Sequence, residues 1–325
     1  MTATDFTRSV VMSLTDIDKG EAHMRVFVTG ASGHIGSLVV AELLAAGHQV
    51  TGLARSDASE SALRAAGAQV RRGTLQDLDV LAAGAADAGG VIHLAFIHDF
   101  TDYAAAGAAD LAAIEAIGAA LADSGKPFVT TSGTAMLAFG FGGSGTLGTE
   151  DTEVDPSGPR VASENATVAL AGRGVRSSVI RLAPTVHGPT DRRGFVPTLI
   201  ANARVRGRSL YIGDGANRWP AVHNLDAARL YRLALETAPA GSRLHGAAEQ
   251  GIAFREIAQV IGDRLGVPTL GVSPEQALDE LGFVGAIAAL DNPTSSDITR
   301  ELLDWHPEHP GLLQDLRTGR YFDAA

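Results

Sequence analysis

Val26-Phe27-Val28-Thr29-Gly30-Ala31-Ser32-Gly33-His34-Ile35-Gly36 is the stretch on which the fold turns. An apolar run rich in β-branched residues ends at Thr29, and glycines spaced G-x-x-G-x-x-G lead into a helical pattern. Each glycine has a physical task. Gly30 permits a tight turn, Gly33 lets the backbone approach a pyrophosphate, and Gly36 lets the helix lie close to the strand. The helix N-terminus then offers unpaired N–H groups and the positive end of its dipole to phosphate. Strand, glycine turn and helix in that order read as a dinucleotide-binding motif, the alternative being a merely tight βα turn. Thr29, Gly30, Ser32, Gly33, His34, Ile35 and Gly36 are its contact residues, His34 through its backbone.

Outward from this motif, apolar runs alternate with Ala/Leu-rich helical stretches. Strands are expected at 25–29, 49–54, 69–72, 90–95, 127–132 and 176–182, and helices near 34–46, 58–66, 77–86, 103–124 and 160–172. Short apolar runs separated by helices mark a parallel sheet covered on both faces. The expected fold is α/β, a doubly wound parallel sheet (Rossmann) with a smaller C-terminal substrate-binding lobe. Gly47, Gly67, Gly125 and Gly174 fall where helix C-caps belong. After residue 185 the rhythm loosens into helices near 194–206, 224–237, 254–265, 274–281 and 295–303, with a short apolar run at 209–212. The division expected is an N-terminal flexible extension (1–23), a nucleotide-binding core (24–185), and a lobe (186–325) that partly returns to the core. Phe139 to Thr149 is Gly-rich and reads as a mobile loop.

Composition removes whole classes of chemistry. The 325 residues include no cysteine, which excludes thiol catalysis, disulfides and cysteine-held metal centres. Only Lys19 and Lys126 are lysines, and neither sits in a Walker A loop. Hydrophobic residues make up 45% and charged residues 19%, ample for a core. The formal charge of −11 argues against nucleic-acid or anionic-membrane partners. No run is read as approaching the roughly 18–20 apolar residues of a membrane span. Residues 1–23 lack the features of a secretory signal, so the protein is read as cytoplasmic with a small-molecule substrate. No His/Asp/Glu spacing marks a metal site.

Thr29 to Gly36, TGASGHIG, resembles the TGxxGxxG fingerprint of the short-chain dehydrogenase/reductase superfamily, in its extended and atypical branches. Other segments resemble that family's pattern in order: Gly73-Thr74-Leu75-Gln76-Asp77, Val91-Ile92-His93-Leu94-Ala95, Arg181 to Gly188, Trp219 to Asp226, and Thr294 to Trp305. The chain resembles the NAD-dependent epimerase/dehydratase-like group more than any named enzyme. The resemblance implies cofactor contacts at Leu75, Leu94, Ala95, Phe96, Thr131 and Pro184. By analogy it also implies a homodimer through helices 103–124 and 160–172. At the end of the second strand, Arg55-Ser56 suits a 2′-phosphate and favours NADP(H) over NAD(H). Asp57 points the other way, unless it caps the following helix.

The family's catalytic Tyr-x-x-x-Lys is missing. Four residues after Tyr103, Tyr211, Tyr231 and Tyr321 stand Gly107, Gly215, Leu235 and Ala325. In its place stand Arg160 and Glu164, an i, i+4 pair that either bonds to itself or serves the site. Ser132 and Thr134 follow the fifth strand, where the resemblance implies a catalytic hydroxyl. Tyr103 is a candidate donor, and His98, His187, Arg218, Trp219 and His223 are candidate substrate contacts. His93, inside an apolar strand, reads as a core histidine. Three functions stay open: an NAD(P)-dependent oxidoreductase acting on a small carbonyl, imine or activated alkene; a sugar-nucleotide epimerase or dehydratase; and a non-catalytic dinucleotide sensor.

Overall fold

Strand β1 (Arg25–Thr29) is apolar at consecutive positions because both of its faces are covered. Val26 and Val28 enter one core and Phe27 the other. The computed structural model describes residues 23–98, 102–140, 145–154, 156, 158 and 160–323. The chain continues through α1 (His34–Ala45), β2 (Gln49–Ala54), α2 (Asp57–Ala65), β3 (Gln69–Arg72), α3 (Leu78–Asp87) and β4 (Gly90–His93). Next come α4 (Tyr103–Leu121), β5 (Pro127–Gly133), α5 (Ala135–Gly140), α6 (Val161–Ala169) and β6 (Arg176–Leu182). Beyond these lie β7 (Thr185–His187), α7 (Phe195–Arg206), β8 (Ser209–Ile212), β9 (Arg218–His223), α8 (Asn224–Thr237), β10 (Ser242–Gly246) and β11 (Glu249–Ala253). The last elements are α9 (Phe254–Leu265), β12 (Thr269–Val272), α10 (Pro274–Leu281), α11 (Phe283–Ala288), α12 (Asp297–Leu303) and α13 (Leu312–Thr318).

The main sheet has seven parallel strands in the order β3-β2-β1-β4-β5-β6-β10. Helices α1 and α8 share one core with the sheet, and α3 and α4 share the other. The order reverses between β1 and β4, and ligands of such sheets bind outside the carboxyl ends at that point. Two small sheets, β11-β9-β7 and β12-β8, belong to the lobe. Its own core gathers Trp219, Phe254, Ile257 and Leu312.

Several expectations change. The run at 90–95 is strand only to His93, which frees Leu94 to Phe96 to turn over the sheet edge. The helix at 160–172 is α6 followed by a 3-10 turn, Leu170–Arg173. Strands β7 and β9 to β12 were not anticipated, since they stand outside the regular alternation of the core, and β9 contains Pro220. Ser56, not Asp57, caps α2, accepting from Ser59 N–H. Asp57 instead pairs with Arg72 at 3.1 Å.

Helix α4 is long and apolar enough to cross a membrane by length and composition, with a mean hydropathy of 1.5, contrary to the expectation above. Here one of its faces is buried, with Ala113, Ile114 and Ile117 in the sheet core. Residues 1–22 lie outside the described residues, while His23, assigned above to the extension, bonds the Gly47 carbonyl at 2.9 Å. Of the Gly-rich loop, 141–144 lie outside the described residues. Its far end is tied down, because Gly148 N–H donates to the Pro293 carbonyl.

His245 on β10 is fully buried. Nδ1 donates to the Ser295 carbonyl and Nε2 accepts from Arg181. Burial pushes its pKa down from 6.5 to about 4. The unfolded chain takes up that proton first as pH falls. Its contribution is therefore complete above pH 6.5 and is lost as pH drops toward 4, on the order of 3 kcal/mol. Urea midpoints at pH 7 and pH 4.5 should differ accordingly, and H245Q, which cannot titrate, should show a shallower loss.

Candidate active site

Gly30 has φ +66, and a Cβ there would lie 2.7 Å from Ala95 N and 2.8 Å from the Leu94 carbonyl carbon. A Cβ on Gly36 would overlap the Gly30 carbonyl oxygen. Strand, turn and helix are therefore in backbone contact, as only glycines allow. Gly33 is the N-cap of α1. No side chain caps this helix, and no acidic residue occupies its first turn. The first N–H groups of a helix have no partner within it. Exposed Ser32 and Gly33 leave the approach open, and half-buried Ile35 lies behind it. The cradle fits a dinucleotide pyrophosphate. His34 turns its ring away: Nε2 donates to the Val186 carbonyl and Nδ1 accepts from Thr190.

Thr29 and Leu75 are corrected here. Thr29 is completely buried, and its Oγ1 accepts from Ala95 N–H at 3.2 Å and bonds His93 Nδ1 at 2.9 Å. Its side chain braces the turn. Leu75 is packed in the core. Leu94, Ala95 and Phe96 are half-buried beyond β4, and Pro184 is half-buried between β6 and β7. Arg55 and Ser56 are exposed after β2. The Ser56 hydroxyl is engaged in capping, while Arg55 has no partner among the described residues.

Beyond the carboxyl ends of β4 and β5 several of the candidate residues gather. Arg160, just before α6, has φ 63, a left-handed conformation unusual for a side-chain-bearing residue. Its Nη2 donates to the Thr131 carbonyl at 2.6 Å, and its guanidinium lies over the Phe96 ring, 4.1 Å from the centroid. Asp110 Oδ2 stands 3.6 Å from the same nitrogen. Phe96 also contacts His98 and Tyr103, at centroid distances of 5.4 and 5.7 Å. Arg160, Tyr103, His98 and Phe96 thus form one group. Burial raises the Tyr103 pKa despite the charge of Arg160, so the phenol keeps its proton. Partial burial and that same charge lower the pKa of His98. Thr131 Oγ1 donates to the His93 carbonyl and takes a bond from Tyr231 OH at 2.7 Å.

Other candidates are drawn elsewhere. Arg160 and Glu164 do not bond to each other: Glu164 is buried between Arg181, at 2.6 Å, and Arg243, at 2.8 Å. It holds β6 and β10 to α6 and has no free oxygen for catalysis. Thr134 is buried and accepts from Asn292 Nδ2, so it is structural. Ser132 is 3% exposed, with its hydroxyl against Met136 Sδ. Trp219 belongs to the lobe core against Phe254, since alternation along β9 turns it inward. Arg218 is partly exposed but committed to Asp291 and the Gly145 carbonyl.

His187 and His223 are also corrected. The rings of His187 and His223 meet edge-on at 5.3 Å, and His223 stacks on His309 at 4.7 Å. His187 bonds Asp315, and His309 bonds Asp226. Nitrogens of His223 and His309 and an Asp226 oxygen lie within 4.8 Å of one another, a grouping invisible in chain spacing. Asp226 also receives the N–H groups of Glu308 and His309, while His223 Nδ1 accepts from Leu225 N–H. These bonds fasten the C-terminal segment to α8 through the Nδ1 atoms of the three histidines, while His187 Nε2 is buried without a hydrogen-bond partner.

Sequence reasoning missed Asp110. Its signal was present: one acid on the buried stripe Ala106, Asp110, Ala113, Ile114, Ile117 of an otherwise Ala-rich helix. It also missed that His93 is more than core, since Nε2 donates to Asp110 Oδ1 at 3.3 Å.

Residues 26–245 match the model of the NAD dependent epimerase/dehydratase family. The uncharacterised protein C2A9.02 of Schizosaccharomyces pombe is 50% identical over 300 residues, 92% of this chain and 100% of that one. A 4-hydroxy-2-methyl-3-oxo-4-farnesyl-3,4-dihydroquinoline-1-oxide ketoreductase of Stigmatella aurantiaca is 28% identical over 230 residues, 67% of this chain and 66% of its own. Among solved structures, DesIV, a dTDP-glucose 4,6-dehydratase from Streptomyces venezuelae with NAD and TYD bound, has the same fold. It matches with a TM-score of 0.73 at 21% identity, covering 92% of this chain and 97% of that chain.

Proposed function

This chain belongs to the NAD dependent epimerase/dehydratase family, and from that membership we propose an oxidoreductase that uses NADPH to reduce a small carbonyl, imine or activated alkene. The observation that carries this reading is the seat of Arg160, over Phe96 and against the end of β5. When bound, the reduced nicotinamide supplies a hydride to the electrophilic carbon. The carbonyl oxygen then gains negative charge and must take up a proton. Arg160 stabilises the charge but is a poor acid. Tyr103, kept protonated beside it, supplies the proton, and His98 contacts the substrate. The Stigmatella relative, named for ketone reduction, supports the carbonyl. Unpartnered Arg55 supports the preference for NADPH, as a guanidinium suits a 2′-phosphate.

Epimerisation or dehydration, the reactions in the family's name, need a group that removes a substrate proton. A guanidinium is a poor base, and Glu164 is locked between two arginines, so this reading is the weaker. The test is a fluorescence titration with NADPH and NADH, followed by aldehydes, ketones and cyclic imines. NADPH should bind more tightly and be oxidised only with substrate. R160A should lower kcat about 10²–10⁴-fold, the range for a catalytic acid or charge-stabilising group. R55A should weaken NADPH by roughly tenfold and leave NADH unchanged, the loss of one charge-assisted contact. Tight binding without turnover on any compound would move the protein to the sensor reading. No nucleotide binding would overturn both.

A further inference from the structure

Asp110 is a carboxylate with no exposed surface, carried into the site on the buried face of α4. Burial works against its ionisation, but the His93 bond and the nearby Arg160 outweigh it and hold its pKa below the usual carboxylate value. The ionised carboxylate therefore faces the guanidinium that the proposed reaction uses. The two are paired by charge and not by a hydrogen bond: Asp110 Oδ2 and Arg160 Nε both lack a hydrogen-bond partner. Arg160 thus has its charge cancelled while an N–H remains unspent. The other Asp110 oxygen is held by His93, which is bonded in turn to Thr29 at the start of the glycine turn. That chain of bonds sets the pair relative to the cofactor cradle.

We propose that Asp110 determines specificity at this site by neutralising Arg160, so that the enzyme accepts an uncharged carbonyl and turns away a 2-oxo acid. The inference rests on the reductase reading above. A carboxylate entering the site must give up its hydration, and only an unbalanced cation would repay that. With Asp110 present the local charge is already zero. A neutral carbonyl has no charge to desolvate and so needs no unbalanced cation.

The experiment compares methyl 2-oxobutyrate with 2-oxobutyrate, the same carbonyl without and with charge, in NADPH oxidation by wild type, D110N and D110N/R160Q. Asparagine keeps an oxygen for His93 and removes only the charge. Wild type should prefer the ester. D110N should move the ratio of kcat/KM values toward the acid by about 10–100-fold, as one unbalanced charge at this distance implies. The double variant should return to ester preference. An unchanged ratio in D110N would overturn the inference while leaving the reductase reading intact.

A second arm needs no turnover. Oxamate should raise the melting temperature of NADPH-bound D110N, and not that of wild type or the double variant. If neither keto compound is reduced but this pattern holds, Asp110 keeps its charge-balancing role, and the reduction of such keto compounds, not the nucleotide site, is what falls. If D110N does not fold, R160Q reads the same charge in reverse. Its remaining ester-to-acid ratio should rise by about tenfold, and an unchanged ratio overturns the proposal.

Discussion

Replacing Gly36 by alanine should weaken dinucleotide binding by at least two orders of magnitude, about 100-fold or more. The new Cβ would overlap the Gly30 carbonyl oxygen, and Gly30 cannot withdraw. It is held at φ +66 with Ala95 and Leu94 behind it, close enough that no side chain fits there either. The contact is backbone against backbone, so no rotamer change relieves it. The helix must move off the strand, at a cost of about 1–3 kcal/mol for such overpacking, and the uncapped N–H groups leave the phosphate position. We expect NADPH affinity to fall by at least about 100-fold, since the pyrophosphate contacts and the dipole are lost together. Fluorescence titration measures the first effect and thermal melting the second. G107A on α4 is the control, because nothing lies within 4 Å of its Cβ. It should bind NADPH normally. Normal binding by G36A would mean that the turn is not the cofactor cradle.

The second large effect is on stability. Glu164 and Arg181 are both without exposed surface, and Arg181 also donates to the Thr152 carbonyl and to His245. Glu164→Leu leaves a guanidinium in the interior with no carboxylate, which typically costs about 3–5 kcal/mol. For a chain of this size that lowers the melting temperature by on the order of 10 °C. Glu164→Gln, which keeps an acceptor for Arg181, should lose less. Below its melting transition E164L should retain kcat and KM within about twofold, since a group locked in an interior ion pair moves no proton in the reaction. A large fall in kcat with an unchanged melting temperature would instead return Glu164 to the catalytic site.

These two residues divide what could be read from the chain. The Gly36 argument was legible in TGASGHIG, because a tight turn and a close helix are demands on the backbone of a few consecutive residues. The exposed place of Arg55 just after β2 was legible for the same local reason, at the end of a recognisable strand. The separation of Arg160 from Glu164 was not. An interval of four places side chains on one face only where both residues are helical, and Arg160 stands before α6 in a left-handed conformation. Its side chain turns to β5 and Phe96, while Glu164 turns to β6 and β10. Trp219 was misplaced for a related reason, since β9 contains a proline and is buried at consecutive positions, so its two faces could not be told apart in the sequence.

The alternation of apolar runs with helical stretches was enough for a doubly wound sheet, and the glycine turn was enough for a cofactor cradle at its switch point. Both follow from backbone geometry and burial within short windows of chain. The composition of the catalytic end was settled only by folding. Thr29, His93, Asp110, Thr131 and Arg160 come from three strands, one helix and the residue before another, spread over more than a hundred positions, and tertiary packing brings them together. Charge balance between Arg160 and Asp110 is a property of that packing. Electrostatic energy depends on distance and burial, and neither is written in the spacing of residues along the chain.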